Sequence, residues 1–182
     1  LLTALEILNS DWGTRIGARK ITISTSGLVP RIRDLAKQPK QYRLAISLHG
    51  ATDAVREKIM PINRRYPLKE LAAAAAEYQL VKNGMITLEY ILIEGINDQL
   101  DQVAPLAQLA KQLRAKVNLI PYNQVDGFEW KRPSEEAQDA FLDGLEALGT
   151  LVTLRREKGH DIDAACGQLR LRTEKELAVG VL

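Results

Sequence analysis

The chain has 182 residues, of which 46% are hydrophobic and 26% are charged, and its formal net charge is +2. This composition predicts a folded domain rather than a disordered segment, and charged residues interrupt every apolar run before it could span a membrane. The single cysteine excludes an internal disulfide or a cysteine-based metal cage within the chain, and it fits the reducing cytoplasm.

Short runs rich in β-branched residues alternate with helical patterns along the chain. After a helical start at 1–8, predicted strands follow at 20–24, 43–48, 86–93, 116–121 and 151–155. Predicted helices lie near 30–37, at 52–59, and after Pro67, near Val103 and after Ser134. This alternation predicts an α/β fold with parallel strands, as either a doubly wound sheet or an incomplete βα barrel.

Polar residues follow three of the predicted strands where each strand ends. Ser24 opens the sequence STSG, Ser47-Leu48-His49 ends the second strand, and Asn123 follows the fourth. Because the carboxyl ends of parallel strands meet at one edge of a sheet, these groups are expected to converge there and to hold a polar small molecule. Individually, each also fits a simpler role, Ser24 as a helix cap, His49 as a loop histidine and Asn123 as a turn residue.

Cys166 lies in the sequence DIDAACGQLRLR, directly before Gly167. A glycine neighbour allows a substrate to approach closely, and the nearby cations Arg155, Arg156 and Lys158 favour a thiolate. Composition alone favours the plainer interpretation, a small buried apolar residue.

Basic residues cluster at 17–20 (GARK), 63–66 (NRRY), 155–158 (RREK) and 170–172 (RLR). Each cluster fits an ordinary solvated surface, and together they could neutralise phosphates. Aromatic residues make up only 5% of the chain, which predicts no stacking platform for single-stranded RNA.

Five segments resemble, in order and spacing, the RlmN family of radical S-adenosylmethionine (SAM) methyltransferases and its antibiotic-resistance relative Cfr. They are ITISTSGLVPRIRDLA, LAISLHGATDAVREKIMPINRRYPL, TLEYILIEGINDQ, VNLIPYN and GHDIDAACGQLR. The resemblance implies a partial βα barrel with SAM bound at its mouth by Ser24, Ser47, Leu48, His49 and Asn123. It also implies that Cys166 carries a methyl group as S-methylcysteine.

The family chemistry that the resemblance implies is methylation of carbon 2 of adenosine in 23S ribosomal RNA and in tRNA. One SAM methylates Cys166, and a second SAM, cleaved at a [4Fe–4S] cluster, gives the radical that activates the cysteine-bound methyl group. A second cysteine then helps to release the product. The resemblance further implies an external electron donor, a cytoplasmic location and a monomer.

This sequence departs from the family pattern in three places. The CxxxCxxC cluster motif, a Gly-Glu-Pro segment that grips SAM and the second cysteine are all absent from the 182 residues. We therefore expect the chain to be a C-terminal piece that alone binds no cluster and is inactive. Residues 1–160 are predicted to form a partial barrel lacking its N-terminal strands, and 161–182 a C-terminal segment with the methyl-accepting cysteine.

Two alternatives stay open at this point. A Cfr-like enzyme would methylate carbon 8 of the same base, and the motifs quoted above are shared by both types. A non-catalytic binding module with an inert Cys166 belongs to a different class of function.

Overall fold

The computed structural model describes residues 1–124 and 129–155, which form a five-stranded sheet with helices. All neighbouring strands are parallel, and their order in the sheet follows their order in the chain. The strands are β1 (Thr22–Thr25), β2 (Arg43–Ser47), β3 (Thr87–Leu92), β4 (Lys116–Pro121) and β5 (Val152–Leu154). The helices are α1 (Leu2–Asn9), α2 (Val29–Ala36), α3 (Asp53–Ile59), α4 (Leu68–Lys82), α5 (Val103–Gln112) and α6 (Glu135–Ala147). The predicted α/β fold with parallel strands is confirmed.

Local sequence signals account for the ends of several helices. The Thr52 side chain accepts a hydrogen bond from the amide of Val55 at the start of α3, and Ser134 does the same for Ala137 at the start of α6. Helix α4 ends at Asn83, whose φ of 47° lies in the left-handed region that stops a helix. These boundaries are therefore set by short-range chemistry.

The core lies on one face of the sheet. On β3, Leu88, Tyr90 and Leu92 are fully buried against the helices, whereas Thr87 and Glu89 on the opposite face are only half-buried. A doubly wound sheet would carry helices on both faces. The one-sided core of the described residues instead fits part of a βα barrel, whose second face lines the interior.

Candidate functional site

Ser24 lies near the carboxyl end of β1, on the face opposite the helices. Its side chain is exposed, and its hydroxyl group forms no hydrogen bond within the described residues. Helix α2 begins after Leu28 without a side-chain cap. Ser24 is therefore not a helix cap, which was the simpler role that the sequence allowed for it. The Ser24 hydroxyl is therefore available to a ligand.

The second predicted group, Ser47-Leu48-His49, places its three residues differently. Ser47 is half-buried on the same face as Ser24, whereas the Leu48 side chain is 1% exposed and packs in the core. The Leu48 amide donates to the carbonyl of Glu89 at 2.9 Å, and its own carbonyl accepts from Arg56 at 3.0 Å. Leu48 therefore offers little to a ligand within the described residues, because its side chain lies in the core and both of its backbone polar groups are hydrogen-bonded.

His49 joins β2 to β3 through its side chain. Its backbone is left-handed, with φ of 56°, and its Nδ1 accepts the Ile91 amide at 3.1 Å. Burial, with a smaller effect of the Arg56 charge, lowers the pKa of His49 from 6.5 to about 4. The imidazole is thus neutral at physiological pH. Because Nδ1 accepts, the ring proton resides on Nε2, which can donate to a neutral or anionic ligand atom.

Asn123 follows β4 and is half-buried. The preceding Tyr122 donates its amide to the carbonyl of Leu92 at 3.0 Å, which extends the pairing of β4 with β3 to the sheet edge. The Asn123 side-chain oxygen accepts from Arg132 at 3.2 Å. A cation therefore orients this side-chain amide.

Arg56, which the sequence analysis did not select, organises the loops after β1 and β2. Its side chain is fully buried, and its guanidinium donates to the carbonyls of Leu48 at 3.0 Å and Ser26 at 2.7 Å. A third bond reaches the side-chain oxygen of Asn63 at 2.9 Å. Arginine is rarely buried, so its residue type gave no signal of this role.

Two glycines make room for this guanidinium and its backbone. A Cβ at Gly27, whose φ is +105°, would lie 2.9 Å from Nη2 of Arg56. A Cβ at Gly50 would lie 2.4 Å from the backbone nitrogen of Arg56. Both loops therefore approach Arg56 more closely than a side chain would permit.

Asn97 is a second residue that the sequence analysis missed. It is fully buried, accepts from the Ile93 amide at 2.7 Å, and donates to the carbonyls of His49 at 2.8 Å and Ile91 at 2.6 Å. The regular pairing of β2 with β3 ends at Ser47. Beyond that point the Leu48 and His49 amides still donate to the Glu89 carbonyl, and the side chains of His49 and Asn97 add hydrogen bonds that fix the spacing of the two strand ends.

A polar row crosses the open face of the sheet at the level of Ser47. The strand register places Glu89 beside Ser47, Asn118 beside Glu89, and Thr153 beside Asn118. Asn118 donates to the Glu89 carboxylate at 2.7 Å and accepts from the Thr153 hydroxyl at 3.2 Å. The predicted ligand groups thus lie on a face of the sheet whose side chains are polar and hydrogen-bonded to one another, not apolar.

The predicted Cys166 lies outside the described residues, as do the basic clusters beyond Arg155. Within residues 1–124 and 129–155, no three histidine, cysteine, aspartate or glutamate side chains are grouped closely enough to hold a metal ion. In the same ranges, no helix combines the length and apolar character needed to cross a membrane.

Comparisons with known proteins agree with these features. The chain is 61% identical over 179 residues to a protein of Opitutus terrae named probable dual-specificity RNA methyltransferase RlmN 3, covering 98% of this chain and 48% of that protein. It is 57% identical over 176 residues to the probable RlmN of Akkermansia muciniphila, covering 97% of this chain and 49% of that protein. The chain thus spans about half the length of the curated relatives it matches. No protein-family model matches it.

Solved structures give the same relationship. A radical SAM methyltransferase from Sphaerobacter thermophilus superposes with a TM-score of 0.87 at 44% identity, over 92% of this chain and 49% of that one. A domain of pyruvate-formate lyase-activating enzyme from Bacteroides vulgatus superposes with a TM-score of 0.57 at 20% identity, over 74% of this chain and 80% of that one. The second likeness shows the fold alone.

Proposed function

Because this chain is homologous over nearly its whole length to RlmN radical SAM methyltransferases, we propose that the full-length protein methylates adenosine in RNA. The observation that carries the proposal is the 61% identity over 98% of the chain to a protein named for that activity. The finer proposal is methylation at carbon 2 in 23S ribosomal RNA and tRNA by a monomer, with an external electron donor.

Within this proposal, the strand ends bind SAM. The hydroxyls of Ser24 and Ser47 and the Nε2–H of His49 are donors for its polar groups, and Asn123 completes the contact. A neutral imidazole supports this role, since a charged His49 would repel the cationic sulfonium. Arg56 and Asn97 position these groups from beneath, through the carbonyls of Leu48 and His49.

Cys166 is proposed as the methyl carrier. Its thiolate attacks the methyl carbon of SAM, the bond from that carbon to the sulfonium breaks, and S-adenosylhomocysteine leaves as a neutral thioether. When bound, a [4Fe–4S] cluster and a second SAM supply radical chemistry to the complete enzyme. The described residues contain no grouped cluster ligands, so we propose that the ligands lie elsewhere in the full-length protein.

Analysis of modified nucleosides tests the proposal. The full-length gene is expressed in cells that lack their own RlmN-type enzyme, and RNA nucleosides are separated by mass spectrometry. We expect 2-methyladenosine with the native protein and none with Cys166→Ala. Formation of 8-methyladenosine would instead identify the Cfr-like activity. No methylated adenosine, or undiminished methylation by the variant, would reject the proposal for the protein or for Cys166 respectively.

A further inference from the structure

A cavity lies at the opposite end of the sheet from the candidate SAM site, where the strands begin. Its volume is about 610 Å³, and its lining includes Arg43 and Lys116, the first residues of β2 and β4. Arg19, which precedes β1, and Lys82, the last residue of α4, also line it. We refer to the cavity and these four cations as the basic basin.

The strand register fixes the layout of the basic basin. Thr22 is paired with Arg43, and Thr87 is paired with Lys116. Thr87 is also paired with Ala45, so the second pair lies two residues further along the sheet than the first, on the same face. The residues of both pairs line the cavity. Paired residues on neighbouring strands project to the same face, so each hydroxyl group lies beside a cation.

The positive charge of the basic basin is not neutralised by the described part of the chain. No carboxylate lines the cavity, and none of its four cations forms a salt bridge with a described residue. Arg19 bonds the neutral side-chain oxygen of Gln41 at 2.8 Å. Arg43 and Lys116 have no side-chain partner among the described residues.

Lys82 adds a buried charge to the basin. The residue is 5% exposed, and its ammonium bonds the carbonyl of Gln38. Burial lowers its pKa, because desolvation disfavours the ammonium form. The carboxylate of Glu89 does not neutralise this charge. Glu89 is the next residue after Thr87 on the same face of β3, about 7 Å further along the strand, and its carboxylate is hydrogen-bonded to Asn118. An anion bound in the basin would therefore supply the missing negative charge.

We propose that the basic basin is a binding site for phosphate groups, distinct from the candidate SAM site. Its polar lining includes two guanidinium groups, two ammonium groups and the hydroxyls of Thr22 and Thr87, all of which can donate hydrogen bonds to phosphate oxygens. Its volume suits a ligand of mononucleotide size. The phosphate belongs either to a free small molecule or to an RNA backbone, and the inference does not depend on the proposed methylation.

Calorimetric titration of the full-length protein with inorganic pyrophosphate tests the basic basin, in chloride buffer at fixed ionic strength. Saturable binding is expected, and Arg43→Gln and Lys116→Gln should each weaken it about tenfold by removing one charged hydrogen bond. Arg31→Gln is the matched control, because Arg31 lies on α2, has a side chain 78% exposed and pairs with Asp34. The affinity of the Arg31→Gln variant for pyrophosphate should equal that of the native protein.

Further measurements distinguish a misfolded variant from one that has lost a contact, and they identify the molecule that supplies the phosphate. Lys116→Arg keeps the charge and should retain binding, and circular dichroism checks that each variant is folded. Displacement of pyrophosphate by a short single-stranded RNA, with a salt slope reduced by about one per cation removed, identifies backbone phosphates. Displacement by adenosine monophosphate alone identifies a free nucleotide. No saturable binding by the native protein, or an equal loss in Arg31→Gln, overturns the proposal. If the protein binds pyrophosphate but makes no methyladenosine, the proposed phosphate site stands and only the proposed methyltransferase function is rejected.

Discussion

Replacing Arg56 by alanine should destabilise the protein and loosen the candidate SAM site together. The substitution leaves three buried acceptors, the carbonyls of Leu48 and Ser26 and the side-chain oxygen of Asn63, without their donor. Hydrogen bonds to a charged group contribute about 1.5–3 kcal/mol each, roughly 4.5–9 kcal/mol for three. Removing a buried cation offsets several kcal/mol of desolvation, so the expected net loss is about 3 kcal/mol.

Urea unfolding of the full-length protein measures this loss as a lower midpoint at unchanged slope. Arg56→Lys should lie between the native protein and the alanine variant, because an ammonium keeps the charge but not the planar fork. Arg31→Ala is the control, since exposed ion pairs contribute at most about 1 kcal/mol. Hydrogen exchange at the Leu48 and His49 amides, which both donate to Glu89, should accelerate in Arg56→Ala. A midpoint no lower than that of Arg31→Ala would refute the assignment of Arg56 as the organiser of these loops.

Three further predictions concern the same region. His49 has a pKa lowered to about 4, so the unfolded chain binds more protons than the native protein between pH 6.5 and about 4. The stability due to neutral His49 is complete above pH 6.5 and is lost as the pH falls through this range, and His49→Asn should reduce the pH dependence seen in urea titrations. Asn97→Ala leaves an amide and two carbonyls unpaired and should cost about 3 kcal/mol in the same assay, whereas a loss below about 0.5 kcal/mol would contradict its bridging role. Gly50→Ala should cost about 1–3 kcal/mol through overlap with Arg56, and the control Gly17→Ala, with nothing within 4 Å, should be near neutral in thermal unfolding.

Short-range patterns predicted most of the fold. All five strands and six helices lie within a few residues of their predicted positions, because β-branched runs, helical spacing and caps such as Ser134 act locally. The predicted edge of the sheet does carry Ser24, Ser47, His49 and Asn123, since parallel strands place their carboxyl ends together. Their roles as SAM ligands stay predictions, as does the division of the chain at residue 160.

Other features depended on contacts that no local pattern encodes. Arg56 and Asn97 are residue types usually found at the surface. The acceptors that pair them when buried include backbone carbonyls eight or more positions away along the chain, those of Leu48, Ser26 and His49. The neutral state of His49 likewise follows from its burial between two strands.

The amino-acid sequence by itself determined the α/β class, the order of the elements and the family resemblance, because each resides in periodicity or in contiguous motifs. The tertiary structure decided that the helices cover one face of the sheet, and that the cations of the basic basin meet at the strand starts. It also decided which polar groups at the strand ends are occupied, as at Leu48, and which are available, as at Ser24. These properties depend on strand register and side-chain burial, which arise only when distant segments of the chain pack together.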